Sequence, residues 1–390
     1  MTIAIHDGLG RRDGAALAVR AGEGSRLVYL DTIRGLAALS VIGSHYVGAY
    51  GLPGNAWLWT NSPLHIWFDG AAAVSLFFVL SGFVLAVKYL QPGKDGALPQ
   101  MHYAGFAAAR ICRIWLPFLA VLALSAVLQR VMQPGAAGGV LAASPWIAEK
   151  WSTTPDLHSL ARQAVFATHA HAVSLIPQGW TLKLELMLSL PIPVAVLLAR
   201  RSVWWLVAAT LLATAVLGVS PFALHFMMGV VLAKHHREFA RWLEGRAWAR
   251  WGLLAAGLGL YTFRFTLPQY LGWGLAEDVL SLVTGVGAAL LIVVVLATGR
   301  ARELLSQSWG RHLGLISYSV YLVHFAVLMT VTPRVLALVG QGAGGPGAWV
   351  AGLAVTVGVT VGVAMVLYRL VEIPSMALGR GMARGLRRLP

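Results

Sequence analysis

Hydrophobic residues along this chain fall in long, nearly unbroken runs separated by short polar joints. They do not alternate as in a half-buried strand, nor do they form the one-sided stripe of a surface helix. A helix that crosses a bilayer needs about 20 mostly apolar residues. Ten segments meet that description: 27–50, 66–90, 107–131, 179–199, 202–219, 221–235, 251–267, 275–298, 312–332 and 347–371. The sixth is short, and the fourth contains Pro191 and Pro193. The pattern therefore predicts an all-α, polytopic membrane protein of ten transmembrane helices. It divides the chain into an N-terminal tail (1–26), a transmembrane unit (27–374) and a basic C-terminal tail (375–390). One connection is long: residues 132–178 combine polar positions with PWIAEKW and FATHAHAVSLIPQGW, so part of it is expected to re-enter the membrane or lie on it. No internal repeat is visible, which counts against a secondary transporter, a class commonly built from duplicated halves.

Composition sharpens this picture. The chain is 58% hydrophobic and 12% charged, whereas a soluble domain carries about 25% charged residues. An ordinary water-soluble enzyme is excluded, and so is a disordered or fibrous chain. The net charge of +15 has two readings, nucleic-acid binding or membrane topology. Position decides between them, because cytoplasmic loops collect Lys and Arg. With the N-terminus inside, 23 of the 30 Lys and Arg fall on the inner side. Five fall outside (Arg130, Lys150, Arg162, Arg264 and Arg334), and Arg34 and Lys183 lie within spans. Both termini are therefore expected in the cytoplasm, and nucleic acid drops out as a partner. Residues 1–26 lack the apolar core of a cleavable signal. Cys112, the single cysteine, excludes an intrachain disulfide and a thiolate cluster.

Ionisable residues inside spans are costly and mark function. The first span, YLDTIRGLAALSVIGSHY, places Arg34 and His45 eleven residues apart. At 100° per residue they share one helix face, with roughly 16 Å of rise between them. Asp31 sits one turn below Arg34, able to pair with it. The fourth span opens PQGWTLKLEL and is expected to bring Glu185 to the depth of His45, where a carboxylate can orient an imidazole base. Lys183, two residues away, faces elsewhere. FAAARICRIWLP sets Arg110 and Arg113 on one face at the inner end of the third span, a pairing that suits a phosphate but also satisfies the positive-inside rule. In LISYSVYLVHF, Tyr318, Tyr321 and His324 form a polar stripe that serves either substrate or helix–helix contact. Two weaker features are a Cys112 thiolate as covalent acyl carrier and a His169/His171 metal pair; no metal is expected.

These residues together resemble a known family, the bacterial membrane-bound acyltransferase-3 O-acyltransferases. YLDTIRGLAALSVIGSHY resembles its first-helix signature and AVSLFFVLSGFVLA its second-helix segment. RICRIWLP resembles its Arg-x-x-Arg motif, GWTLKLE its Trp-Ser/Thr-Leu-x-x-Glu stretch, and ISYSVYLVHF and LVEIP its last two spans. The resemblance covers residues 29–374 and implies an enzyme of the bacterial inner membrane. Such an enzyme moves an acyl group, commonly acetyl from acetyl-CoA as co-substrate, onto a hydroxyl of a carbohydrate or related acceptor. No tightly bound cofactor is implied. His45 is implied as the catalytic base with Glu185 in support, and Arg34, Arg110 and Arg113 as the acyl-CoA-binding residues. Trp180, Tyr318 and His324 are expected along the substrate path, with Trp180, Tyr318 or backbone N–H groups as alternative donors to the oxyanion. Where the family often has two adjacent acidic residues, this chain has Glu185-Leu186. The competing reading is a transporter or flippase of a lipid-linked sugar, with the buried Arg and His forming its path.

Overall fold

The computed structural model describes residues 27–93, 96–132, 144–167, 174–266, 271–272, 274–340 and 345–387. The described residues are helical and joined by short turns. In chain order the main helices are α1 (Val28–Tyr50), α2 (Gly70–Leu90), α3 (Tyr103–Met132), α4 (Pro145–Ala148), α5 (Leu157–Ala164), α6 (Gly179–Ser189) and α7 (Ile192–Arg201). They continue with α8 (Val203–Val216), α9 (Phe222–Leu243), α10 (Ala247–Tyr261), α11 (Glu277–Ala297), α12 (Ser308–Gly340), α13 (Pro346–Leu367) and α14 (Ile373–Leu386).

Five described helical segments are long and apolar enough to cross a membrane: 70–90, 103–132, 277–297, 308–339 and 346–386. A sixth arises if α6 and α7, bent by 49° across Leu190 and Pro191, act as one broken span. The protein is thus an integral membrane protein, but the ten spans expected from the sequence are not all of that kind. The reasons are local. The helices α8 and α10 have 14 and 15 residues, too short for a bilayer on their own. Helix α9 runs into Lys234, Arg237, Glu238 and Arg241 before it ends. The first span, α1, has the length but carries Asp31, Arg34 and His45 along it.

Helix α1 tolerates those groups because it lies inside the bundle, packed against α2, α12 and α13. Ala38, Tyr46 and Ala49 on it are fully buried. By contrast α8 buries only Leu206 and exposes Trp204, Trp205, Leu211 and Leu212, as a lipid-facing helix does. The α1–α12 seam is close because it is lined with glycine. A Cβ on Gly314 would stand 2.5 Å from the Asp31 carbonyl carbon, and one on Gly35 would stand 2.6 Å from Leu313 Cγ. Small residues let membrane helices approach to backbone contact. Here that approach brings the polar face of α1 against the polar stripe of α12.

Candidate active site

Two cavities lie along the polar face of α1. The larger, about 640 Å³, is floored by His45 and Ser44 and flanked by Trp146, Trp180, Glu277 and Asp278. The smaller, about 30 Å³, is lined by Arg34, Ser81, Glu185 and Tyr318. Val74, Thr181 and Tyr321 line both. The Thr181 and Tyr321 hydroxyls are 2.6 Å apart, so this one contact forms part of the partition between the two spaces.

At the level of the smaller cavity the structure brings Arg34, Arg110 and Arg113 together with Glu185. Arg110 donates to Glu185 Oε1 at 3.0 Å, and Ser81 Oγ lies 3.3 Å from the same oxygen. Arg113, Asp31 and Glu372 stand within charge–charge range of Arg34. Ser319 on α12 donates at 2.7 Å to Glu372 in the π-helical turn (Tyr368–Glu372) that joins α13 to α14, which fixes the carboxylate that faces Arg34. Arg34 and Arg113 make no hydrogen bond with the described residues, so their donor forks stay available.

Glu185 therefore does not sit beside His45. The bond to Arg110 and the attraction of Arg34 and Arg113 hold it at the arginine level. The ring that His45 meets is His324: Nδ1 of His45 lies 2.7 Å from Nε2 of His324. His324 is 1% exposed and does not line the larger cavity, so it reaches that cavity only through His45. Tyr318, expected as an oxyanion donor, spends its hydroxyl on the Ile114 carbonyl at 2.6 Å. Trp180 does face the larger cavity, 44% exposed. Cys112 turns away from both spaces toward Met382 on α14, with 3.7 Å between the sulfurs, which leaves no route for it to carry an acyl group. Among the described residues no group of three or more His, Cys, Asp or Glu is placed to hold a metal. His169 and His171 lie outside the described residues.

A family model described as an acyltransferase domain matches residues 27–369. The chain belongs to that family. It is a membrane acyltransferase. A curated relative, the exopolysaccharide production protein ExoZ of Rhizobium meliloti (strain 1021), is 29% identical over 331 residues, covering 81% of this chain and 92% of the relative. No solved structure matches the chain.

Several residues of the acyltransferase cavity are not singled out by the sequence. The described part of the long connection between α3 and α6 folds over His45 rather than away from it. Ser144 Oγ donates to the Gly48 carbonyl at 2.8 Å, and Gln129 donates to the carbonyls of Trp151 and Thr153 at 3.1 and 2.7 Å. This puts the Trp146 ring 5.6 Å from the His45 ring and buries Lys150 against Trp146. The only hint in the sequence is the density of aromatics in PWIAEKW. Across the cavity Arg264 grips Glu277 through two bonds of 2.9 and 2.7 Å at the start of α11. An arginine in a short 3-10 turn and a first-turn carboxylate thirteen residues on give no such signal in sequence.

Proposed function

We propose that this acyltransferase takes an acyl group, most simply acetyl, from acyl-CoA at its arginine end. It delivers that group to a carbohydrate hydroxyl bound in the larger cavity. The observation that carries the reading is His45: its Nε2 makes no hydrogen bond with the described residues while its ring forms the cavity floor. An acceptor hydroxyl within hydrogen-bond reach of that nitrogen can lose its proton as its oxygen attacks the thioester carbonyl. The tetrahedral intermediate then collapses, the C–S bond breaks, and the coenzyme A thiolate takes the proton back from His45. Arg34 and Arg113 hold donors suited to the phosphates of the coenzyme. The roughly 16 Å of helix rise from Arg34 to His45 is comparable to an extended pantetheine arm, which would have to part the Thr181–Tyr321 contact on its way.

Trp146, Trp180 and Phe222 offer aromatic faces, and Glu277, Asp278 and Gln178 offer polar edges, a mixture that suits a sugar. The likeness to ExoZ supports an exopolysaccharide or its precursor as acceptor. The distribution of Lys and Arg supports an even number of membrane passes with both termini inside, in a bacterial cytoplasmic membrane, and the apolar runs put that number at ten. The short helices α8 and α10 would be accommodated by local thinning of the bilayer.

The test is thiol release from acetyl-CoA by the purified protein in vesicles, with and without candidate glycan acceptors. Acceptor-dependent release, lost in His45→Ala, is expected. No acceptor-dependent release with any acyl-CoA, or full activity of His45→Ala, would overturn the reading.

A further inference from the structure

The two imidazoles sit in an arrangement whose protonation pattern can be worked out atom by atom. His324 Nδ1 lies 2.8 Å from the backbone carbonyl of Tyr321, one turn back on α12. A carbonyl oxygen only accepts, so Nδ1 carries the hydrogen, and in the neutral ring Nε2 is then a lone pair. That lone pair is 2.7 Å from Nδ1 of His45. One hydrogen must lie between them, so His45 carries its proton on Nδ1 and its Nε2 is bare. No carboxylate is hydrogen-bonded to either ring among the described residues, so no directly bonded group balances a charge on the pair.

The ring geometry agrees. The two planes are inclined by only 20°, and their centroids are 5.0 Å apart for a 2.7 Å nitrogen contact. The excess is little more than two ring radii, so the rings meet edge to edge, each nitrogen in the plane of the other's lone pair or N–H. His324 is locked in place: it is 1% exposed, and the carbonyl that orients it is also held by the Gln178 amide at 3.1 Å.

We propose that His324 is a positioning residue for His45: relayed from the Tyr321 carbonyl, it holds His45 in the one tautomer whose Nε2 faces the cavity as a base. The usual partner for such a histidine is a carboxylate. A neutral imidazole does the same orienting work without a second buried charge in the membrane, and it accepts from the His45 Nδ1–H more strongly once His45 has taken the acceptor's proton. This rests on His45 being the base.

The experiment combines two variants with one spectroscopic reading. Gln can place an amide oxygen where Nε2 of His324 lies and still accept from His45, whereas Phe fills the space and cannot. His324→Gln is expected to keep kcat within about tenfold of wild type, and His324→Phe to lose about 100-fold or more. In both, KM for acetyl-CoA and for the acceptor stays unchanged. Independently of activity, ¹⁵N-histidine NMR of the full-length protein in bilayers, with the His45 signals assigned by their loss in His45→Ala, should show His45 protonated at Nδ1 and bare at Nε2. That preference should disappear in His324→Phe.

A bare Nδ1 on His45 in the wild type would overturn the proposal. So would equal losses in the Gln and Phe variants, or an effect confined to acceptor KM, which would make His324 a substrate contact. An active His45→Ala protein would instead remove the base reading, a failure distinguishable from this one because the tautomer measurement would stand.

Discussion

Arg110 is committed to Glu185, whereas Arg34 and Arg113 beside it make no hydrogen bond with the described residues. Three arginines that look alike in sequence therefore have different consequences when removed. Arg113→Ala deletes donors that only a ligand would use. It is expected to weaken coenzyme A binding by about 10- to 100-fold, the worth of one hydrogen bond between charged groups, with folding intact. Titration of the coenzyme against purified protein, alongside a thermal melt, checks this, and unchanged affinity would return Arg113 to a purely topological role. Arg110→Ala removes the one guanidinium bonded to Glu185 but leaves Arg34, Arg113 and the Ser81 hydroxyl near it, so it should cost about 1–3 kcal/mol of stability, seen as a fall in the melting midpoint. At Tyr318 the hydroxyl is spent on a backbone carbonyl, so Tyr318→Phe should leave kcat near wild type and cost about 1 kcal/mol. A hundredfold loss of kcat with no change in stability would restore it as an oxyanion donor. The identity of these residues was legible in the sequence, because ionisable groups stand out in apolar runs. Their partners were not, since pairing depends on where separate helices cross.

The seam between α1 and α12 does at the level of elements what His45 and His324 require at the level of atoms. Gly314 allows the backbones to touch, and a side chain there would meet the Asp31 carbonyl. Gly314→Val is expected to lower stability by about 1–3 kcal/mol, as overpacking does. Activity should fall by more than that stability loss explains, because the imidazoles are drawn apart. Equal activity per folded molecule would show that the seam does not position the pair. The connection between α3 and α6 is a second case. Trp151, 4% exposed, donates from its indole to the Leu175 carbonyl at 3.1 Å and anchors the segment that carries Trp146 and Lys150 over the cavity. Trp151→Ala should raise KM for the acceptor while leaving coenzyme A binding alone. The helix period of the sequence placed Arg34 and His45 on one face correctly, since that geometry is internal to one helix. It misplaced Glu185, since the groups that hold that carboxylate, Arg110 and Ser81, come from other helices, which no single-helix ruler contains.

Across the whole molecule, charge sorting and helix packing act on different questions. On the proposed orientation Asn55 and Glu303, both exposed, lie on opposite sides of the membrane. In a Cys112→Ser background, a membrane-impermeant maleimide applied to intact cells should label Asn55→Cys and spare Glu303→Cys. Labelling of both, or the reverse, would overturn the orientation. The sequence alone determined that this is an all-helical membrane protein with charged and imidazole groups held inside it, and motif order determined its family. Those properties follow from composition, period and local spacing, each of which is written within one segment. Tertiary structure alone decided which groups meet: Glu185 with Arg110, His45 with His324, the α3–α6 connection with the cavity. Electrostatic pairing and hydrogen bonding fall off within a few ångströms, so they are set by how separate helices pack and not by any one helix.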